Sequence, residues 1–323
     1  IVTGVLAGIG ETGDGNFRIE NLKSGDIGGG IYGIDVESSG THIIINAGNI
    51  SGPIAIRSQS GIEHVTNFGT LEGDVDLGGG NDAFTNFKKV GKVIKHGVVT
   101  GEIDLGAGND RFNSGNRAET VKDGDGEDVI KLGGGNDVWK GYLGGGNDLA
   151  DTIDGGKGID TYDASGAGAD LIAINLGTDF TLFPGHTAFS FVAGSEFGET
   201  VVGFENAIGS AGEDALIGST GVNTLKGGGG EDILAGRGGA DHLYGGADAD
   251  NFYFVSLKDS GPTKATRDTI HDFELGVDHI ALKDMNERLG DIITGVLGVD
   301  AAFTAHNGDL CAVASADNII FPI

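Results

Sequence analysis

The sequence predicts an all-β chain built as a right-handed parallel β-solenoid. Three observations carry that expectation. From Gly209 to Tyr253 the chain repeats every nine residues, five times: GSAGEDALI, GSTGVNTLK, GGGGEDILA, GRGGADHLY and GGADADNFY. Glycine supplies 63 of 323 residues, yet follows no G-X-Y register and is accompanied by only 4 prolines, which excludes a collagen rod. Long helical periodicity is nearly absent, and the best helix candidate is the short run ALKDMNERLGDII, around Leu282 to Ile293. Short repeats of this kind bury a face only by stacking on their neighbours.

Residues 1–76 read as a parallel β-helix. The string N-x-G-x-(I/L)-x-G recurs as NAGNISG (46–52) and NFGTLEG (67–73), and GVVTGEIDL (97–105) aligns with GTLEGDVDL (69–77). Ile50, Ile54 and Ile56 alternate as the buried face of a strand. Residues 77–163 hold a looser repeat set: LGGGNDAFT, LGAGNDRFN, DGDGEDVIK, LGGGNDVWK, LGGGNDLAD and GGKGIDTYD. Their sixth positions are Asp82, Asp110, Asp128, Asp137, Asp148 and Asp160, unevenly spaced, so loops must bulge between turns. Leucine often replaces the first glycine, so these turns are expected to be less regular. Residues 164–208 form a strand-rich connecting segment with the runs DLIAINLG and TAFSFVAG. The regular run 209–253 follows. Residues 254–323, with RDTIHDFELGVDHIAL (267–282), read as strands that cap the stack.

Each nonapeptide has the form G-G-x-G-x-D-x-U-x, where U is large and apolar. Six residues make a turn, for which glycine supplies positive φ, and three make a strand with U inward. Two units complete a coil. The side chains at 214, 232 and 250 then fall in one row, and those at 223 and 241 in another. Carboxylates stacked at the strand spacing of ~4.8 Å repel one another and need a cation. Hard carboxylate and carbonyl oxygens, six or more per site, select Ca²⁺ over Zn²⁺, Cu²⁺ or the reluctantly dehydrated Mg²⁺.

These motifs resemble the RTX (repeats-in-toxin) calcium-binding β-roll, closely at 209–253 and more loosely at 77–163. The resemblance implies that a β-helix leads into an RTX β-roll and that turn aspartates and carbonyls hold several Ca²⁺ ions between coils. Carried over, Asp214, Asn223, Asp232, Asp241 and Asp250 become side-chain positions, with carbonyls from Gly227, Gly228, Gly230, Gly245 and Gly246. The upstream counterparts are Asp82, Asp110, Asp128, Asp137, Asp148 and Asp160, with Gly155, Gly156 and Gly158. Three departures stand out: Asn223 for Asp, Arg237 for the second glycine and Asp248 for the fourth. The end region is similar to that of serralysin-type secreted proteins, which implies type I secretion from a Gram-negative cell and a C-terminal signal near NIIFPI.

Other classes are weighed down by composition. A formal charge of −28, from 48 acidic and 20 basic residues, repels nucleic-acid phosphates, while 38% hydrophobic residues still allow a core. One cysteine, Cys311, excludes an internal disulfide, and no apolar run approaches the ~20 residues of a membrane helix. The first ten residues lack a basic n-region and do not read as a Sec signal, so the chain reads as a portion of a larger or processed protein. GIGETG (8–13) matches a dinucleotide fingerprint, but glycine abundance alone accounts for it. H-E-x-x-H and G-x-S-x-G are absent, so no catalytic residues are assigned and the balance is against an enzyme. The expectation is a secreted calcium-binding protein that folds on extracellular Ca²⁺, structural or adhesive in role, with surface or extracellular polysaccharide as a partner. The alternative is a polysaccharide lyase or epimerase, for which Tyr32, Arg57, His64, Lys95 and His96 lie in the β-helix-like part.

Overall fold

The computed structural model describes residues 5–7, 9–11, 15–141, 151–169, 172–177, 189–192, 199–254, 256, 258–263, 265–282, 302–306, 309–313 and 319–320. Among these the regular structure is β, apart from one 3₁₀ turn, Ser165–Ala167. The fold is a parallel β-solenoid. The chain divides into two units, 1–161 with 197–203, and 162–196 with 204–323.

In the first unit one parallel row runs through Phe17–Asn21, Thr41–Asn46, Ile62–Asn67, Ala83–Thr85, Arg111–Asn113, Val129–Lys131, Thr152–Asp154 and Thr200–Val202. A facing row includes Asn49–Ser58, Thr70–Asp76, Glu102–Ala107, Thr120–Asp125 and Val138–Lys140. Asn46 pairs with Asn67, and Val98 with Thr70, as the sequence alignments at those offsets require. The core is filled by alternate residues: Ile44, Val65, Phe84, Phe112 and Ile130 from one row, Leu71, Ile103, Val121 and Trp139 from the other, all at most 1% exposed. Each such burial contributes about 1.5–3 kcal/mol.

One sequence expectation fails locally. Ile54 is half-exposed while Ala55 and Ile56 are both buried, because a register shift between Ser51 and Ile56 interrupts the alternation. A ladder of buried amides accompanies the strands: Asn21 donates to Asn46, Asn46 to Asn67 and Asn67 to Asn86, at 2.8–2.9 Å. Asn46 and Asn67 are the asparagines of the N-x-G strings, and each amide donates to its neighbour one coil away.

A hairpin leaves the stack between Phe84 and Phe112. Phe87–Val90 pairs antiparallel with Val93–His96, setting Lys88 opposite Lys95. Lys88, Lys89, Lys92 and Lys95 are exposed, as are Val90, Val93 and Ile94.

In the second unit Ile172–Asn175, Ala215–Ile217, Ile233–Ala235, Asn251–Phe254 and His279–Leu282 form one parallel row. Asn206–Ile208, Thr224–Gly229, His242–Ala247 and Thr269–Ile270 form another. Ala215 pairs with Ile233, and Thr224 with His242, so two nonapeptides do make one coil. Leu216, Leu225, Leu234, Leu243 and Phe252 are fully buried. Phe189–Val192 pairs antiparallel with Ile172–Asn175. Leu282 ends a strand, and the rest of the expected helix lies outside the described residues.

Backbone geometry explains the repeat's glycines. The second and fourth positions take positive φ at Gly78, Gly80, Gly106, Gly108, Gly228 and Gly230, though not in the first two repeats of the regular run, where serine holds the second position. The leucine-led turns therefore keep the same backbone pattern, contrary to the irregularity expected of them; Leu77, Leu105 and Leu132 simply point into the core. Arg237 (φ 71°) and Asp248 (φ 77°) hold the same conformation with side chains, which costs up to ~1–2 kcal/mol each.

Candidate metal centre

The sixth-position acids are buried in stacked rows. In the first unit, Glu63 N–H donates to Asp82 Oδ1 (2.7 Å), Asp82 N–H to Asp110 Oδ1 (2.7 Å), Asp110 N–H to Asp128 Oδ1 (2.6 Å) and Asp128 N–H to Asp151 Oδ1 (2.6 Å). A second row joins Glu119, Asp137 and Asp160 in the same way. In the second unit, Ile172 N–H donates to Asp214 Oδ1, Asp214 N–H to Asp232 Oδ1, Asp232 N–H to Asp250 Oδ1 and Asp250 N–H to Asp278 Oδ1, at 2.8–3.0 Å. Its second row joins Asn223, Asp241 and Asp268. Each first oxygen thus ties one coil to the next.

The second oxygens are different. Those of Asp82, Asp110, Asp128, Asp137, Asp232, Asp241, Asp250 and Asp268 are buried and have no hydrogen-bond partner among the described residues. In the glycine-led turns this oxygen folds back against the first glycine of its own repeat. A Cβ on Gly227 would lie 2.0 Å from Asp232 Oδ2, and one on Gly245 would lie 2.1 Å from Asp250 Oδ2. Gly228, Gly230 and Gly246 hold the left-handed turns beside them, as do Gly156 and Gly158 in the first unit. At Gly155 a Cβ would lie 2.4 Å from the Gly203 carbonyl oxygen.

Burial pushes these carboxyls up. Asp110 and Asp232 rise to about 8, Asp250 to about 7 and Asp128 to about 6, because desolvation outweighs the donated backbone N–H. Neighbouring carboxylates add to the rise at Asp110, Asp232 and Asp250. Asp82, Asp137, Asp241 and Asp268 move in the same direction for the same first cause. A buried carboxylate with an orphaned oxygen is costly alone. Eight such oxygens in rows, beside turn backbone and with no nitrogen or sulfur ligand among the described residues, fit a hard cation of the calcium type.

The predicted positions are not equivalent. Asn223 is satisfied internally: its Oδ1 accepts from Ser219 N–H (2.8 Å) and its amide donates to Glu205 O (2.7 Å). Asp214 also has both oxygens engaged, with Ser210 N–H on Oδ2 and Ile172 N–H on Oδ1. Asp148 lies outside the described residues, and the place one coil after Asp128 is taken by Asp151.

Sequence reasoning missed Glu63, Glu119, Asp123, Asp151, Asp268 and Asp278. For all but Asp123 a signal was present. An acid followed two residues later by a core apolar residue recurs at Glu63/Val65, Glu119/Val121, Asp151/Ile153, Asp268/Ile270 and Asp278/Ile280. The nine-residue spacing is absent there, and the glycine two residues before the acid survives only as Gly61 before Glu63 and Gly276 before Asp278.

A Ser-His-Glu constellation ends the first row. Ser38 Oγ lies 2.7 Å from His42 Nε2, and His42 Nδ1 lies 2.6 Å from Glu63 Oε1. All three are at most 1% exposed, so a substrate carbonyl has no approach to the serine. The imidazole serves instead to hold Glu63. Of the residues weighed for polysaccharide chemistry, Tyr32 and Arg57 meet, with the guanidinium also on Asp35 (2.7 Å). His64 sits on the other row, and Lys95 and His96 on the hairpin.

Family comparison agrees with this geometry. The RTX calcium-binding nonapeptide repeat model (4 copies) matches residues 113–150. The peptidase M10 serralysin C-terminal model matches residues 147–312, just over half of the chain. The chain belongs to the peptidase M10 serralysin C-terminal family. The regular run 209–253 lies inside that match, and the protein is an RTX β-roll protein whose repeats bind calcium. No curated protein matches the sequence.

Proposed function

We propose that the protein is a secreted, extracellular RTX protein whose stacked turns take up Ca²⁺ and fold as they do so. The orphaned second oxygens of Asp82, Asp110, Asp128, Asp137, Asp232, Asp241, Asp250 and Asp268 carry this reading. Calcium binds the stacked turns and not the unfolded chain, so each site adds RT ln(1 + [Ca²⁺]/Kd) to folding. At submicromolar calcium the excess of 28 negative charges opposes collapse, and at millimolar calcium the rows are neutralised. Export through a type I apparatus suits a chain that folds only outside. Far-UV circular dichroism during a calcium titration tests this. A cooperative gain of β signal is expected, and a chain fully folded in excess chelator would sink the idea.

The biological role we assign is adhesive. The hairpin supports it: four exposed lysines, none in an ion pair among the described residues, rise from a polyanionic chain beside exposed Val90, Val93 and Ile94. Like charges set opposite each other destabilise a hairpin, so Lys88 facing Lys95 suits an anionic partner such as an acidic surface polysaccharide. Replacing Lys88, Lys89, Lys92 and Lys95 together by Ser is expected to cut retention on immobilised dextran sulfate in calcium by about tenfold or more. Unchanged retention with an unchanged β signal rejects the hairpin as the contact. Turnover of alginate or pectin by the wild-type chain would instead favour an enzyme.

A further inference from the structure

Asp123 is a carboxylate where the two preceding coils bury leucine. It lies between the paired positions Asp104/Lys122 and Gly106/Gly124, in register with Leu105, and Leu77 precedes Leu105 in the same row. It is 1% exposed. In the regular repeats this first position is glycine; here, in DGDGEDVIK, it carries an acid. Ligand oxygens of Asp123, Asp128 and Asp151 all lie within 4.8 Å of one another, and all three residues are buried. Asp128 Oδ1 accepts from Asp110 N–H, but its Oδ2 has no partner. Asp123 Oδ1 accepts from Gly124 N–H (3.0 Å), and its Oδ2 accepts the indole N–H of Trp139 (2.9 Å). Trp139 is the one tryptophan of the chain.

We infer that Asp123, Asp128 and Asp151 form a three-carboxylate cation site, distinct in composition from the other coil intervals among the described residues, and that it fills first as calcium rises. The inference rests on the calcium reading above and adds a ligand that the nonapeptide pattern does not contain. Oxygens that all lie within 4.8 Å of one another can surround one ion with bonds of about 2.3–2.6 Å, and an all-oxygen set suits calcium better than Mg²⁺, which dehydrates reluctantly. Ligand charge sets affinity among such oxygen sites, so a third carboxylate places this one ahead of its neighbours. Two neutral N–H donors on Asp123 orient the carboxylate without cancelling its charge. Because Trp139 holds one oxygen of this group, the site carries its own reporter.

The test is a calcium titration of the full chain, following Trp139 emission and far-UV circular dichroism together. Terbium luminescence sensitised by Trp139 is measured in parallel. In the wild type the coils around this site are expected to order first, so the Trp139 signal should saturate at about tenfold lower calcium than the β signal of the whole chain. Asp123→Asn keeps the shape and, with its oxygen turned to the indole, the Trp139 contact, giving up the Gly124 N–H bond and the charge; it should move the Trp139 midpoint up about tenfold, to meet the β transition. Identical Trp139 midpoints in the two proteins would overturn the inference while leaving calcium-driven folding intact. A wild-type chain whose β signal ignores calcium would instead overturn the underlying reading. If Asp123→Asn fails to fold, the wild type still decides: sensitised terbium emission at the first equivalent supports the site, and its absence until later equivalents rejects it.

Discussion

Asp232→Asn is expected to act in opposite directions with and without calcium. Asp232 sits mid-row, its Oδ1 on Asp214 N–H and its Oδ2 buried without a partner. Burial lifts its carboxyl to about 8, so near neutral pH the calcium-free fold holds either a proton or an unpaired charge there. An amide removes that burden, and the chain already shows the solution at Asn223, whose side chain is satisfied by Ser219 and Glu205. In chelator the variant should therefore need less sucrose than the wild type to gain β signal, a stabilisation of about 1–3 kcal/mol. In millimolar calcium the sign reverses. A site filled about a hundredfold above its Kd contributes about 2.7 kcal/mol, and Asp232 faces the intervals toward both Asp214 and Asp250, so losses of about 3–5 kcal/mol in urea unfolding are expected. A variant weakened equally in chelator and in calcium would show that the carboxylate serves only as a hydrogen-bond acceptor.

Gly108→Ala should be among the most damaging conservative changes at the described residues of the first unit. Gly108 has φ 138°, and a Cβ there would lie 1.5 Å from the carbonyl oxygen of Gly80 one coil before. The obstruction is backbone, which no side-chain rotation can relieve. Gly80 meets Gly61 in the same way, and Gly126 meets Gly108, so the fourth positions stack as a column with no space for a side chain. We expect a loss of at least about 3 kcal/mol in thermal or urea unfolding measured in calcium. Gly30→Ala is the control: no atom lies within 4 Å of its Cβ, and the change should stay within about 0.5 kcal/mol. Equal effects at the two positions would mean that coil spacing, and not turn geometry, absorbs the added carbon.

These two results probe what was legible in sequence to different depths. The phase of Asp232, Asp241 and Asp250 with Leu234, Leu243 and Phe252 could be read directly, because regular coils keep stacked residues 18 apart. Glu63, Asp151, Asp268 and Asp278 could not be placed that way. Each sits one coil from its partner at a separation of 19 to 28 residues. Excursions such as the hairpin at 87–96 lengthen a coil without altering its register, since Phe84 still stacks on Phe112. Sequence distance is therefore a poor measure of stacking once loops leave the column.

The sequence alone determined the repeating unit and the need for a cation. Glycine at the second and fourth positions, acid at the sixth and an apolar residue at the eighth follow from the turn, the row and the core that one short coil must build. The tertiary structure decided how the acids share their work. Strand register gives one carboxylate oxygen to the next coil's N–H and leaves the other buried, and it completes Asn223 and Asp214 from within the protein. It also brings Asp123, an acid at a leucine position, to Asp128 and Asp151. The physical reason is that each nonapeptide specifies its own turn, whereas a shared ligand cage belongs to two coils at once and forms only where their backbones are stacked.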